Sequence, residues 1–178
     1  MINKRAHTLT ELLMASAIIV ILLTSLLGAF LLTKLVCRNS IASYNIQRDV
    51  DTLLATIIRG VKEQSGNRFG LRSAVSIPPI PGLLPIPGQN TISYLCTDNN
   101  TRMFLLNNNT VIYDSPLQNP RQTVIYTAPA NSNIILRFAS ASADQQLAYV
   151  YVSVSQQLGN KTITGSAETN VNLRNMPR

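Results

Sequence analysis

The sequence has one histidine, no tryptophan, two cysteines and only 8 acidic residues against 15 basic ones in 178 positions. Its single histidine, His7, lies ahead of a long apolar run. Neither a Ser-His-Asp nor a Cys-His apparatus can therefore form in the remainder of the chain, and a multi-histidine metal site is excluded. The eight glycines are scattered, without GxGxxG and without a GxxxxGK loop followed by Ser or Thr, so nucleotide binding of those kinds has no support. These absences imply no metal and no cofactor, and the chain reads as a non-enzyme.

What is abundant is apolar surface in one place. Residues 12–33 hold 17 of the apolar residues that make up 46% of the chain, and the rest has an ordinary soluble composition. From Leu12 to Thr33 no side chain is charged. At 1.5 Å per residue a helix of that length is about 33 Å long, enough to cross a hydrocarbon core of about 30 Å. Lys4 and Arg5 precede the run, and basic residues are retained on the cytoplasmic side, so the residues beyond Lys34 are expected outside the cytoplasm. A cleaved secretory signal is the rival reading, but its apolar core is shorter and ends in small residues, whereas this run leads into Thr-Lys-Leu-Val-Cys. A lipoprotein site at Cys37 would need a small residue where Val36 stands.

Glu11 is the acid at the edge of the run, where a carboxylate needs a partner or a route to the interface. One reading is local: Thr8-Leu-Thr-Glu11 fits a capping box, with Thr8 as N-cap and Glu11 reaching back to its amide. The other comes from the whole stretch. A short basic leader, Ala6, then His7-Thr-Leu-Thr-Glu11-Leu-Leu-Met-Ala15 and a long apolar helix resemble the amino terminus of type IV pilins and pseudopilins. The resemblance implies cleavage by a prepilin peptidase between Ala6 and His7, methylation of the new amine on His7, and pairing of Glu11 with the terminal amine of a neighbouring subunit. Family members most often have glycine where Ala6 stands. Gly28 falls where many major pilins carry a helix-breaking proline; close helix packing is its other reading.

The resemblance further implies a structural subunit, a minor pilin or J-type pseudopilin of a type IV pilus or type II secretion filament. Such a subunit is held by one span in the inner membrane, with its amino terminus cytoplasmic and its head periplasmic, before it enters an extracellular filament. Its implied partners are other pilin or pseudopilin subunits, the prepilin peptidase, an inner-membrane assembly platform and membrane lipid. A pilus-tip subunit that binds DNA or a surface, and an uncleaved single-span membrane protein, are the alternatives.

Beyond Lys34, Ile41, Tyr44, Val50, Leu53, Leu54, Ile57, Ile58 and Val61 recur at spacings of three and four, with charged residues on other faces. One helix is expected from about residue 9 to 65, stopped at Gly66. The fold class is α+β: a long N-terminal helix, its first half transmembrane and its second amphipathic, packed on a C-terminal antiparallel sheet. The segments are a leader over 1–6, the membrane and assembly half over 7–36, the amphipathic half over 37–66, a Pro-rich connector over 67–90 and a sheet head over 91–178.

Five prolines between Ile77 and Gly88 exclude regular helix or interior strand there; an extended linker is expected, and a ligand for a proline-recognising module is the alternative. Strand-like runs follow at 91–96, 102–106, 111–113, 123–126, 134–138, 147–154 and 162–173, separated by Asn-, Pro- and Gly-containing turns. The alternation of Ala148, Val150, Val152 and Val154 with Tyr149, Tyr151, Ser153 and Ser155 buries one face of its strand. The closing Asn170-Val-Asn-Leu-Arg-Asn175 also resembles the last strand of J-type pseudopilins.

Cys37 and Cys96 are 59 residues apart, and a disulfide between them is permitted outside the cytoplasm; two buried thiols, or Cys37 packed in a filament core, are the alternatives. Arg59, Lys62, Arg68 and Arg72 form a basic cluster that suits nucleic-acid phosphate or anionic lipid, or else a solvated surface.

Overall fold

The computed structural model describes residues 9–77, 90–140 and 147–173. Residues 1–8, which include the expected leader, the Pro-rich stretch 78–89, and residues 141–146 and 174–178 lie outside them. The chain divides into two compact units, Met1–Ala42 and Ser43–Arg178, and the helix α1, Leu9–Arg59, contributes to both. The architecture is α+β, with a long N-terminal helix packed on antiparallel sheets.

In the second unit α1 buries Ile46, Val50, Leu53 and Ile57, whose spacing of four, three and four lays a stripe along one side. Burying four such side chains contributes about 1.5–3 kcal/mol each. Ile41 and Tyr44, read as part of the apolar face, are instead exposed, and the stripe begins at Ile46. Two strands meet this stripe. Gly165 approaches so closely that a Cβ there would lie 2.9 Å from Ile46 Cγ2, and Gln47 Nε2 donates to the Ser166 carbonyl at 3.5 Å. From another strand the Tyr126 hydroxyl donates to Asp49 at 3.3 Å; burial, then the Asp49 charge and its hydrogen bond, push this phenol up to about 12.

The helix ends at Arg59, six residues before the expected stop. Gly60 adopts φ +93°, a left-handed conformation that terminates helices, and its N–H bonds the Thr56 carbonyl at 2.8 Å. Val61–Lys62 (β1) and Arg68–Phe69 (β2) then form a small hairpin around Gly66, which serves the turn at φ +83°. Periodicity alone carried the helix through Val61 because the glycine with the structural role is the earlier one. A 3₁₀ turn, Leu71–Ser73, and β3, Ala74–Ser76, follow where a connector was expected.

The remaining strands fall where alternation placed them: β4 Thr91–Cys96, β5 Thr101–Asn107, β6 Thr110–Asp114, β7 Gln122–Thr127, β8 Ser132–Ser140, β9 Leu147–Leu158 and β10 Lys161–Asn172. They form two sheets. One has order β3-β4-β5-β6-β7 and the other β10-β9-β8, every pairing antiparallel between chain neighbours. The β5–β6 turn places Asn108 and Asn109 at φ 44° and 60°, the left-handed pair that a two-residue hairpin needs and that asparagine tolerates. Asn109 also ties the sheets, since its Nδ2 donates to the Ser132 carbonyl at 2.9 Å and its Oδ1 accepts from Ile134 N at 3.2 Å.

Residues two apart supply the core: Ile92 and Tyr94, Val111 and Tyr113, Ile134, Leu136 and Phe138, and Ala148, Val150, Val152 and Val154. Phe104 lies between Tyr94 and Tyr113, with ring centroids 5.6 and 5.2 Å away. Ser153, on the face expected to be open, is also buried.

The helix exit depends on a backbone crossing. A Cβ on Gly70 would stand 2.3 Å from Gly60 N and 2.5 Å from Gly60 Cα, where nothing flexible can yield. Gly70→Ala is expected to destabilise the protein by at least about 3 kcal/mol, because backbone must move. Guanidinium unfolding of the full chain in detergent micelles, followed by near-ultraviolet circular dichroism, measures the loss.

Candidate functional site

The exposed part of α1 is the first feature with functional content. Its most apolar 18-residue window has mean hydropathy 2.6, and none of that window is buried within the protein. By length and composition it is sufficient to cross a membrane. The polar side chains in the run do not spoil this surface. Ser16 donates to the Leu13 carbonyl at 2.8 Å, Thr24 to Val20 and Ile21 at 3.0 and 2.9 Å, Ser25 to Ile21 at 2.8 Å and Thr33 to Ala29 at 2.9 Å. Each hydroxyl proton is thus satisfied by the helix's own carbonyls and requires no water. The helix is unbroken through Gly28, where an added Cβ would meet nothing within 4 Å.

Glu11 lies in the first turn of α1 and is the sole charged side chain from Leu9 to Thr33. A carboxylate there faces the partial positive charge of the helix N-terminus. Ala6 and His7, the residues flanking the expected cut, and Thr8, the expected cap, lie outside the described residues. Cys37 and Cys96 do not form a disulfide: both are free thiols, Cys37 exposed on the helix and Cys96 buried at the end of β4. Cys96 is enclosed at 0% exposure, its sulfur 4.0 Å from Ser73 Oγ, and burial pushes its thiol up.

Sequence reasoning missed the strongest polar cluster in the head. Glu63 is one of the charged residues read as lying on the other faces of a helix running to about residue 65, but it follows β1 and is buried. Its Oε1 accepts from Arg102 Nε at 2.7 Å, Tyr113 Oη at 2.6 Å and Ser115 Oγ at 2.6 Å, and its Oε2 accepts from Arg102 Nη2 at 3.0 Å. Arg102 then gives Nη1 and Nη2 to Asp98 at 2.8 and 2.7 Å, and Nη1 to the Asn100 carbonyl at 3.4 Å. All five guanidinium hydrogens are thereby engaged. The Phe69 ring covers the guanidinium carbon at 3.6 Å, and the Tyr94 hydroxyl donates to the Phe69 carbonyl at 3.3 Å. One signal was available: Arg102 occupies the same strand face as Phe104, so alternation alone placed a guanidinium indoors, where it must be paired.

This cluster fastens the β1–β2 hairpin at the helix end to β4, β5 and β6. Its two carboxylates both bind the one guanidinium, so the charged groups of the cluster are paired within the protein. Among the described residues no group of three or more His, Cys, Asp or Glu is arranged to hold a metal ion. The sequence matches no protein-family model, and comparison with curated proteins and with solved structures finds no similar chain.

Burial opposes the Glu63 charge, but the hydrogen bonds from Arg102, Ser115 and Tyr113 and the Arg102 charge outweigh it, holding the carboxyl below its usual 4.5. Hydrogen bonds from Arg102 hold Asp98 well below 3.8. Below those usual values the unfolded chain binds protons that the folded chain refuses. The stabilisation is thus complete near pH 7 and is lost as pH falls from about 4.5 toward 2. Arg102→Met is expected to cost about 3–5 kcal/mol at pH 7 by stranding Glu63, with part of that loss recovered toward pH 5 as the stranded carboxyl protonates. Denaturant midpoints of both proteins between pH 2 and 7 give the two slopes.

Proposed function

We propose that the chain is a structural subunit of a type IV pilus-like or type II secretion filament, of the minor pilin or pseudopilin kind. The observation that carries this reading is the exposed, uncharged helical run with one carboxylate in its first turn, continuous with a helix that packs on an α+β head. The leader sequence around Ala6 and His7, read by its resemblance to prepilins, supports the same conclusion.

The physical logic is a transfer between two apolar media. In lipid the run is covered by acyl chains; in a filament it is covered by the same run of other subunits, so leaving the membrane costs little hydration. A carboxylate carried into a bundle of apolar helices must meet a cation, and the free amine of His7 after cleavage on a neighbouring subunit supplies one. The pair selects axial register: a subunit seated one turn away leaves a charge unmatched. Membrane lipid, the prepilin peptidase, the inner-membrane platform and sister subunits are the partners that this life cycle requires.

Glu11→Gln keeps side-chain size and hydrogen-bonding capacity while deleting the charge. The expected outcome is an unchanged amount of protein in the membrane fraction and at least about a tenfold drop in the sheared filament fraction, scored by immunoblot. Equal recovery of Glu11→Gln in filaments would reduce Glu11 to a local helix cap.

A further inference from the structure

We propose that the outer face of the helix in the second unit is a docking groove for an acidic segment of a different protein subunit, so that this chain joins its filament beside an acidic partner and not beside copies of itself. The proposal rests on the filament reading above and adds the identity of the neighbour by its chemistry.

The groove runs along α1 opposite the buried stripe. Tyr44, Arg48, Asp51, Ala55 and Arg59 line it from the helix and Arg68 from β2, around a volume of about 520 Å³. Tyr44 to Arg59 is 16 residues, about 22 Å of helix from first to last, enough for four turns of a partner helix. A second cleft shares Arg59 and adds Arg72, from the 3₁₀ turn, and Asn172. Three arginines from three different elements thus surround the helix end, and among the described residues Arg59, Arg68 and Arg72 form no ion pair.

Three observations choose the occupant. The first is charge: the chain carries 15 basic and 8 acidic residues, and four of the described head carboxylates, Asp49, Glu63, Asp98 and Asp114, are already paired with arginines, leaving Asp51 and Glu168 outside any ion pair among the described residues. Glu63 and Asp98 serve Arg102, Asp114 serves Arg121, and Asp49 meets Arg48 and Tyr126. A second copy therefore brings like charge and few available acids to this groove. The second is Asp51, which lies inside the groove and accepts from Gln47 Nε2 at 3.1 Å. A carboxylate in mid-groove repels a phosphodiester chain bearing one negative charge per nucleotide, whereas a protein partner can place a donor there. The third is Tyr44, 68% exposed, beside arginine and alanine. Tyrosine and arginine are the side chains that concentrate binding energy at protein interfaces.

The test replaces Ala55 in the full chain with a photo-crosslinking phenylalanine analogue in producing cells, and identifies the adduct by mass spectrometry. The expected product is a different protein, crosslinked through a segment of net negative charge, and Arg59→Glu with Arg68→Glu reduces its yield about tenfold. An adduct with a second copy, an adduct with nucleic acid, no adduct, or a yield untouched by the double charge reversal would each overturn the proposal. Thermal unfolding of the double variant, which alters two residues outside the core, accompanies the yield. As a second measurement, the purified full chain in neutral detergent is titrated with poly-L-glutamate and with a single-stranded oligonucleotide; tighter binding of the oligonucleotide overturns the proposal, tighter binding of polyglutamate sustains it. Recovery of the chain in sheared filaments is scored in parallel, so loss of the filament reading is seen separately from loss of the groove.

Discussion

Apolar side chains along an uncovered helix face only two stable fates, lipid or other apolar helices, and this constraint governs the rest of the molecule. From Leu12 to Thr33 the chain devotes 22 uncharged residues to such a surface, and its hydroxyls turn inward onto helix carbonyls. A surface of that kind tethers a protein as long as lipid covers it. In the filament proposed above, equivalent helices would replace the lipid, and the carboxylate at Glu11 would decide how they align.

The head answers a different need, that of holding a helix end in place without a large core. The buried stripe of Ile46, Val50, Leu53 and Ile57 supplies hydrophobic adhesion, while the crossing of Gly60 and Gly70 and the Glu63–Arg102–Asp98 cluster fix the exit hairpin. A buried ion cluster of this kind adds less to net stability than it removes when broken. Its value lies in geometry: with β1–β2 fastened to β5, Arg68 and Arg59 border one groove, and that groove becomes a defined surface instead of a loose collection of cations.

Much of this was legible in the sequence. Strand alternation located most of β4 through β10 because a buried face recurs with period two, as in β4, β8 and β9, and asparagine-, proline- and glycine-containing turns marked the breaks between them. The helix end was misread because hydrophobic spacing continues across Gly60 to Val61, and spacing does not report which of two nearby glycines adopts positive φ. The division into two sheets, and the pairing of Glu63 with Arg102 across 39 residues, are tertiary facts with no local signature. Arg102 was still detectable in principle, as a charge on the inward face of a strand. Of the alternatives open for Cys37 and Cys96, both are free thiols in this structure, Cys37 exposed on the helix and Cys96 buried in the head. Ala6, His7 and Thr8 are known from sequence alone, and the reading placed on them is chemical and not geometric.

The central claim is that this helix is an assembly joint released from a leader. Intact-mass and amino-terminal peptide analysis of the protein from its producing cells tests it most directly. The account predicts a chain lacking Met1–Ala6 that begins at His7 with a methylated amine. A mature protein that retains Met1 would contradict it and leave a simple single-span anchor.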